Sequence, residues 1–192
     1  MHHNVCYHFL MNLTLRAMAH QDFTIQPLSD QQAPQYKALR LQALRLHPDA
    51  FLENPEAFEM KSIETITSLM QSARDKGGFT LVAINADGEL VGTASLSVGD
   101  SEKLTHRGLI WGVYVAPEAR RGGVARQLME SIITRATQSP QMRSLHLGVV
   151  CSNTRAFTLY ESLGFSVYGT DKEALYVNGE YLDEYLMSKK LR

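Results

Sequence analysis

The chain has 192 residues, 44% hydrophobic and 20% charged, with eight tyrosines and seven phenylalanines. That apolar content excludes a disordered chain, and the length suits one domain with at most a short appendage. Nineteen basic against twenty acidic residues give a formal charge of −1, too little for a general nucleic-acid binder, and no stretch approaches the roughly 20 apolar residues that span a bilayer.

Residues 1–21 read differently from the rest. The apolar stretch from Val5 to Leu15 is interrupted by His8 and Asn12. It lacks the basic start, continuous apolar run and cleavage site of a secretory signal. A flexible leader is expected there, a single domain over 22–192, and a cytoplasmic location. Cys6 and Cys151 form no C-x-x-C and no Cys/His pair at zinc spacing, so neither a disulfide scaffold nor a metal site is expected.

From residue 22 the signals sharpen. Phe23 to Leu28 alternates and predicts a strand. Ser29 with Gln32 resembles a capping box, and Tyr36, Leu39, Ala43 and Leu46 follow at helical spacing. Pro48 stops that helix. A second helix is expected to carry Phe58, Ile63, Ile66, Met70 and Ala73, ending at Gly77-Gly78. Phe79 to Asn85 and Glu89 to Val98 predict a hairpin around Asp87-Gly88. A polar loop leads to a strand over Gly108 to Val115. An arginine- and glycine-rich turn precedes an amphipathic helix over Val124 to Thr137. Ser144 to Cys151 reads as a strand and Asn153 to Leu163 as a helix closed by Gly164. Strands from Phe165 and from Tyr181 flank the Asn178-Gly179 turn. The order β-α-α-β-β-β-α-β-α-β-β predicts an α/β (α+β) fold: a mixed, twisted sheet of six to seven strands flanked by about four helices.

The segment from Val113 to Arg126 holds the most information. It is a strand, a short turn, the pair Gly122-Gly123 and a helix start. Glycines admit positive φ and close approach of an anion. The first N–H groups of a helix lack internal partners and lie at the positive end of its dipole. Together they form a phosphate cradle without large net charge, with Arg120, Arg121 and Arg126 as local cations. Val124 and Ala125 stand where a Walker A loop needs Lys and Ser or Thr, and the dinucleotide pattern G-x-G-x-x-G is missing. A nucleotide-dependent phosphotransferase is thereby disfavoured.

Arg120, Gly123 and Ala125 match the acetyl-coenzyme A signature of the GNAT superfamily of N-acetyltransferases, which reads Gln or Arg, two residues, Gly, one residue, Gly or Ala. The preceding V-Y-V-A-P-E resembles that family's usual strand ending. The run from Asn153-Thr154-Arg155-Ala156-Phe157 to Tyr160-Glu161-Ser162-Leu163-Gly164-Phe165 resembles its second block, N-x-x-A-x-x-x-Y-x-x-x-G-F. The resemblance covers roughly residues 22 to 190 and implies the GNAT fold. It implies acetyl-coenzyme A as co-substrate, bound by backbone groups of Val113, Tyr114 and Val115 and by amides from Arg121 through Gly122, Gly123, Val124 and Ala125 to Arg126, beside Arg120. Asn153, Ala156 and Tyr160 share one helix face and complete the set. The implied reaction is direct acetylation of a primary amine on a small molecule or protein. Tyr160 is the candidate acid toward the leaving sulfur, and a backbone N–H near Tyr114 or Val115 the oxyanion donor. A sensor that binds acyl-coenzyme A without catalysis is the alternative.

The base stays open. Many relatives place a glutamate on the splayed strands, and this chain has no acidic residue between Gly108 and Val115 or between Ser144 and Cys151. His146, Glu53 and a water relay are candidates. Cys151 reads as a small buried apolar residue. Phe51, Glu53 and Tyr176 are the expected acceptor-side residues, from the loop 47–55 and the last hairpin, where Tyr181 and the acidic Asp49, Glu180, Asp183 and Glu184 also lie. A homodimer is a further expectation; nucleic acid, membrane and metal are not expected as partners.

Overall fold

The computed structural model describes residues 23–192; the expected leader lies outside the described residues. Seven strands form one sheet: β1 (Phe23–Pro27), β2 (Phe79–Asn85), β3 (Leu90–Val98), β4 (Arg107–Val115), β5 (Ser144–Val150), β6 (Ser166–Val177) and β7 (Glu180–Lys190). The spatial order is β1-β2-β3-β4-β5-β7-β6. Every neighbouring pair is antiparallel except β4 with β5.

Among the described residues five α-helices cover the sheet: α1 (Ala33–Leu46), α2 (Pro55–Glu59), α3 (Ile63–Asp75), α4 (Val124–Gln138) and α5 (Thr154–Ser162). One more helix is present than the sequence pattern predicts, because the expected second helix is two. Asn54 caps α2 by accepting from Ala57 N–H at 2.9 Å, and Ser62 caps α3 by accepting from Thr65 N–H at 3.2 Å. Two N-caps eight residues apart close one helix and open another, since each satisfies donors that a continuous helix would bond internally. At the entry to α1, Gln32 reaches back to accept from Ser29 N–H at 3.0 Å, as the capping pattern predicts.

Each face of the sheet has its own core. On one face α4 buries Leu128, Met129 and Ile132 against Leu96, Ile110, Leu145 and Met187. On the other, α1 and α3 bury Tyr36, Leu39, Leu44 and Ile66 with Val82 and Tyr114. The strand period of two divides the residues between these cores. In β5, Leu145, Leu147 and Val149 lie under α4 and α5, so His146 and Gly148 occupy the α1 face.

Gly92 of β3 lets α4 approach closely. A Cβ there would lie 2.9 Å from Val124 Cγ1 and 3.1 Å from Leu128 Cδ1. The first two turns of α4 therefore rest directly on the sheet. No helix among the described residues is long and apolar enough to cross a membrane.

Candidate active site

β4 and β5 meet over only three residue pairs, Arg107 with Ser144, Gly108 with Leu145 and Leu109 with His146. Beyond Leu109 the two parallel strands part. The cause lies within β4. Trp111 pairs with Ser95 and Tyr114 with Thr93, so two residues of β4, Gly112 and Val113, stand opposite the single residue Ala94. That is a β-bulge, and Gly112 takes it up with φ of +66°, a conformation that disfavours a Cβ. The bulge bends β4 away, leaving the β5-facing backbone of 110–115 without a strand partner. The residues expected to offer backbone groups, Val113, Tyr114 and Val115, sit on this edge.

The turn after β4 follows the sequence reading in its backbone. Arg121 and Gly123 have φ of +69° and +83°. Gly123 is the N-cap of α4, and the first helical bond runs from Gln127 N–H to Gly123 C=O at 3.0 Å. The N–H groups of Val124, Ala125 and Arg126 thus precede any intrahelical partner.

The three arginines of the turn take different places. Arg120 folds inward: its Nε donates to Val115 C=O at 3.0 Å and its terminal nitrogen lies 2.9 Å from His47 Nε2. Its charge is committed to holding the end of β4 against the C-cap of α1. Arg126 donates to Ser162 Oγ at 2.7 Å and pairs with Glu130 at 3.6 Å, joining α4 to α5. Arg121 is exposed beside Gly122.

The helix α5 returns directly from β5. Asn153 caps it, its side-chain oxygen accepting from Ala156 N–H at 3.2 Å. One turn on, Tyr160 is 7% exposed, and burial pushes its hydroxyl up to about 12. Its ring lies 6.2 Å from that of Phe165, edge to face. The hydroxyl makes no hydrogen bond among the described residues and keeps some contact with solvent. Geometry, then, provides a parted pair of parallel strands, a helix N-terminus following the first and a buried phenol following the second.

The model of the acetyltransferase (GNAT) family matches residues 41–165. The chain belongs to the GNAT family. It is an acyltransferase. The chain is 29% identical over 115 residues to the L-amino acid N-acetyltransferase AaaT of Escherichia coli, a match covering 60% of this chain and 70% of that protein. A solved GNAT-family acetyltransferase from Streptococcus pneumoniae shares the fold with a TM-score of 0.80 at 22% identity, over 88% of this chain and 99% of that one. The Salmonella typhimurium protein yncA, solved with its cofactor acetyl-CoA, does so with a TM-score of 0.78 at 20% identity, over 89% and 95%.

On the α1 face of this GNAT sheet, two of the expected acceptor-side residues meet around a side chain that sequence reading passes over. Arg40, mid-way along α1, is 5% exposed. Its guanidinium lies 4.7 Å from the Phe51 ring centre and 5.8 Å from that of Trp111. Glu53 lies 3.6 Å from Arg40 through Oε2 and 2.5 Å from Lys61 through Oε1. Two buried side-chain atoms among the described residues have no partner, Arg40 Nη1 and Thr93 Oγ1. Both belong to the α1 face beside the bulge, where a Cβ on Gly112 would come 3.6 Å from Arg40 Nη1. Unpaired buried polar atoms at a parted sheet fit a polar ligand better than a closed core.

Tyr176 does not join this group. It stacks on Tyr181 at 4.8 Å near the tip of the β6–β7 hairpin and is 66% exposed. His146 accepts from Arg107 Nε at 3.1 Å and lies 3.0 Å from Ser144 Oγ. Burial, then the charges of Arg107 and His106, hold its imidazole below the usual range. Cys151, read as buried, is half-exposed in the turn after β5, its N–H donating to Asp183 C=O.

Glu53 bridges two cations, and one of them is buried. Glu53→Gln leaves Arg40 without its counter-charge, which is expected to destabilise the fold by about 1–3 kcal/mol. A thermal unfolding scan against the parent chain checks this.

Proposed function

We propose that this chain transfers an acetyl group from acetyl-coenzyme A directly to a primary amine of a small molecule or protein. The observation that carries the reading is the parting of β4 from β5 at the Gly112 bulge, with the α4 N-terminus at one strand end and Tyr160 after the other. Family membership supplies the reaction class, and the E. coli relative's name, an L-amino acid N-acetyltransferase, supports a small amine as acceptor.

The residues present fit the co-substrate. Amides from Arg121 to Arg126, at the positive end of α4, suit the diphosphate, with Arg121, which has no ion pair among the described residues, as a cation of the turn. Backbone groups along the β5-facing edge from Val113 through Tyr114 to Val115 would bond the amide-rich pantetheine arm, as a missing strand would, apart from the Val115 carbonyl, which already accepts from Arg120 Nε. Asn153 and Ala156 border the same edge from α5. Arg120 acts through its bonds to Val115 and His47, fixing the strand end rather than meeting phosphate.

Chemistry then reduces to protons and charge. An alkyl amine with a pKa near 10 arrives protonated, and coenzyme A leaves as a thiolate whose thiol has a pKa of about 8.5 by analogy with cysteine. A backbone N–H on the bulged edge of β4 would hold the oxyanion as the amine adds to the carbonyl carbon. Tyr160 would meet the departing sulfur. Burial pushes the phenol up to about 12, so the hydroxyl is protonated at working pH and donates toward the departing sulfur as the proposed acid.

Two results test the cradle. Calorimetric titration with acetyl-coenzyme A should give binding, and injection of an amine panel into the same cell should give heat of turnover for one acceptor class. Binding without turnover for any amine would favour the sensor. Gly123→Ala is expected to weaken acetyl-coenzyme A about tenfold, because a side chain in the left-handed region costs about 1–2 kcal/mol. Space is not the cause, since nothing lies within 4 Å of the added Cβ.

A further inference from the structure

We propose that Glu184 of β7 is the general base of the acetyl transfer, taking a proton from the incoming amine at the mouth of the β4–β5 opening. The assignment rests on the transferase reading above and supplies the group that the sequence leaves open.

Its position follows from register. Glu184 pairs with Val150, and Leu186 with Gly148. Antiparallel partners share a face, so Glu184 stands on the same face as Gly148 and His146, the face of α1. From there its side chain leans over Gly148. A Cβ at Gly148 would lie 2.5 Å from the Glu184 carboxyl carbon and 2.6 Å from each oxygen. The carboxylate occupies the room that a side chain at position 148 would take, and only glycine permits it. Gly148 lies two residues beyond His146, the last residue of β5 that pairs with β4. The carboxylate therefore stands where the strands have parted, on the face opposite α5 and Tyr160. A base and a thiolate-stabilising donor on opposite faces of one opening suit a reaction in which amine enters from one side and sulfur leaves toward the other.

Its surroundings suit a base rather than a structural anion. Glu184 is half-buried and has neither an ion pair nor a hydrogen bond among the described residues. On β6 the facing residue is Asp171, a like charge. On β5 the charge-capable neighbour is His146, held by Arg107 and Ser144. Along β7 its same-face neighbours are Leu182 and Leu186, and β4 presents Leu109 and Trp111. Lys172 is paired with Asp183 and Arg40 with Glu53. Burial first, and Asp171 second, raise the carboxyl above its usual range. A carboxylate brought nearer neutral pH without a cation partner has the properties of a catalytic base. Glu53, by contrast, has both oxygens in ion pairs.

Protons and electrons balance without another reactant. Glu184 takes one proton from the ammonium and returns it to water. The freed nitrogen pair forms the C–N bond, the C–S bond breaks, and its pair stays on sulfur. The second proton lost by nitrogen neutralises the thiolate, giving amide and free coenzyme A.

Kinetics of the whole chain test this. Thiol release from acetyl-coenzyme A is followed across pH with L-methionine, spermidine and an alanine-initiated peptide as acceptors. For whichever is acetylated, Glu184→Gln is expected to lower kcat/KM about 100-fold. It should also abolish the low-pH limb due to the enzyme and leave the calorimetric affinity for acetyl-coenzyme A in place. Gly148→Ala, which displaces the carboxylate while retaining it, should reproduce the kinetic loss. A purely structural carboxylate would move the unfolding temperature and not the limb. Wild-type rate and limb in Glu184→Gln would overturn the base assignment alone. Acetyl-coenzyme A binding with none of the three amines acetylated by the wild type would overturn the transferase reading, and the base with it.

Discussion

Replacing Tyr160 by Phe is expected to lower kcat about 10- to 100-fold, the worth of one hydrogen bond to a charged group. Binding of acetyl-coenzyme A should change little, because the thioester carries no charge on sulfur until the C–S bond breaks. Differential stabilisation of this kind appears in kcat. The fold should tolerate the change: the Tyr160 ring keeps its packing against Phe165, and the hydroxyl gives up no protein partner. A phenol at about 12 also stays protonated throughout the working range. The pH–rate profile should therefore show no alkaline fall from this group below about pH 11. Steady-state rates of Tyr160→Phe with a saturating amine decide the matter; an unchanged kcat would remove Tyr160 from the reaction.

Gly92→Val should produce the largest loss of stability. The added Cβ would meet Val124, Leu128 and the Tyr114 carbonyl at 2.9, 3.1 and 3.3 Å. Neither Val124 nor Leu128, exposed at 2% and 0%, has room to retreat. Overpacking of this kind costs about 1–3 kcal/mol, and the branched side chain puts Val at the upper end. For a chain of this size that is a fall of roughly 6–12 °C in the unfolding midpoint. The same push lifts the first turns of α4 from the sheet, and with them the amides after Gly123. Stability and acetyl-coenzyme A affinity should fall together, read by thermal unfolding and calorimetry. A normal midpoint would show that the helix can ride outward without cost.

What the sequence discloses about this chain is what neighbours in sequence decide. The turn from Arg120 to Arg126 is local: a glycine pair before an amphipathic helix means the same thing in any fold, and its backbone follows the expectation. Asn153 caps α5 for the same reason. The division of the second helix was also local and readable, in Asn54 and Ser62, but the apolar stripe from Phe58 to Ala73 ran through both pieces and masked it. Arg40 and Glu184 were not readable. Arg40 sits on a helix whose arginines and lysine otherwise look like a solvated face. Its guanidinium lies against Phe51, from the next loop, and Trp111, remote in sequence. Glu184 looks like one of several acidic residues on a terminal hairpin, and its place over Gly148 is fixed by pairing between strands more than thirty residues apart. β4 and β5 carry no carboxylate beyond Leu109; the one placed over Gly148 reaches β5 from the neighbouring strand. Arg120 shows the reverse limit: its place in the signature is local, while its contact with His47 is not.

The three-pair seam between β4 and β5 has a mechanical consequence. It divides the sheet into a four-stranded panel and a three-stranded panel, joined at one end like the covers of a book. The covers have no ladder between them along the open edge, so whatever lies there acts as the binding. A strand-like ligand bonded along that edge would add a ladder where the sheet has none, and so would stiffen one panel against the other.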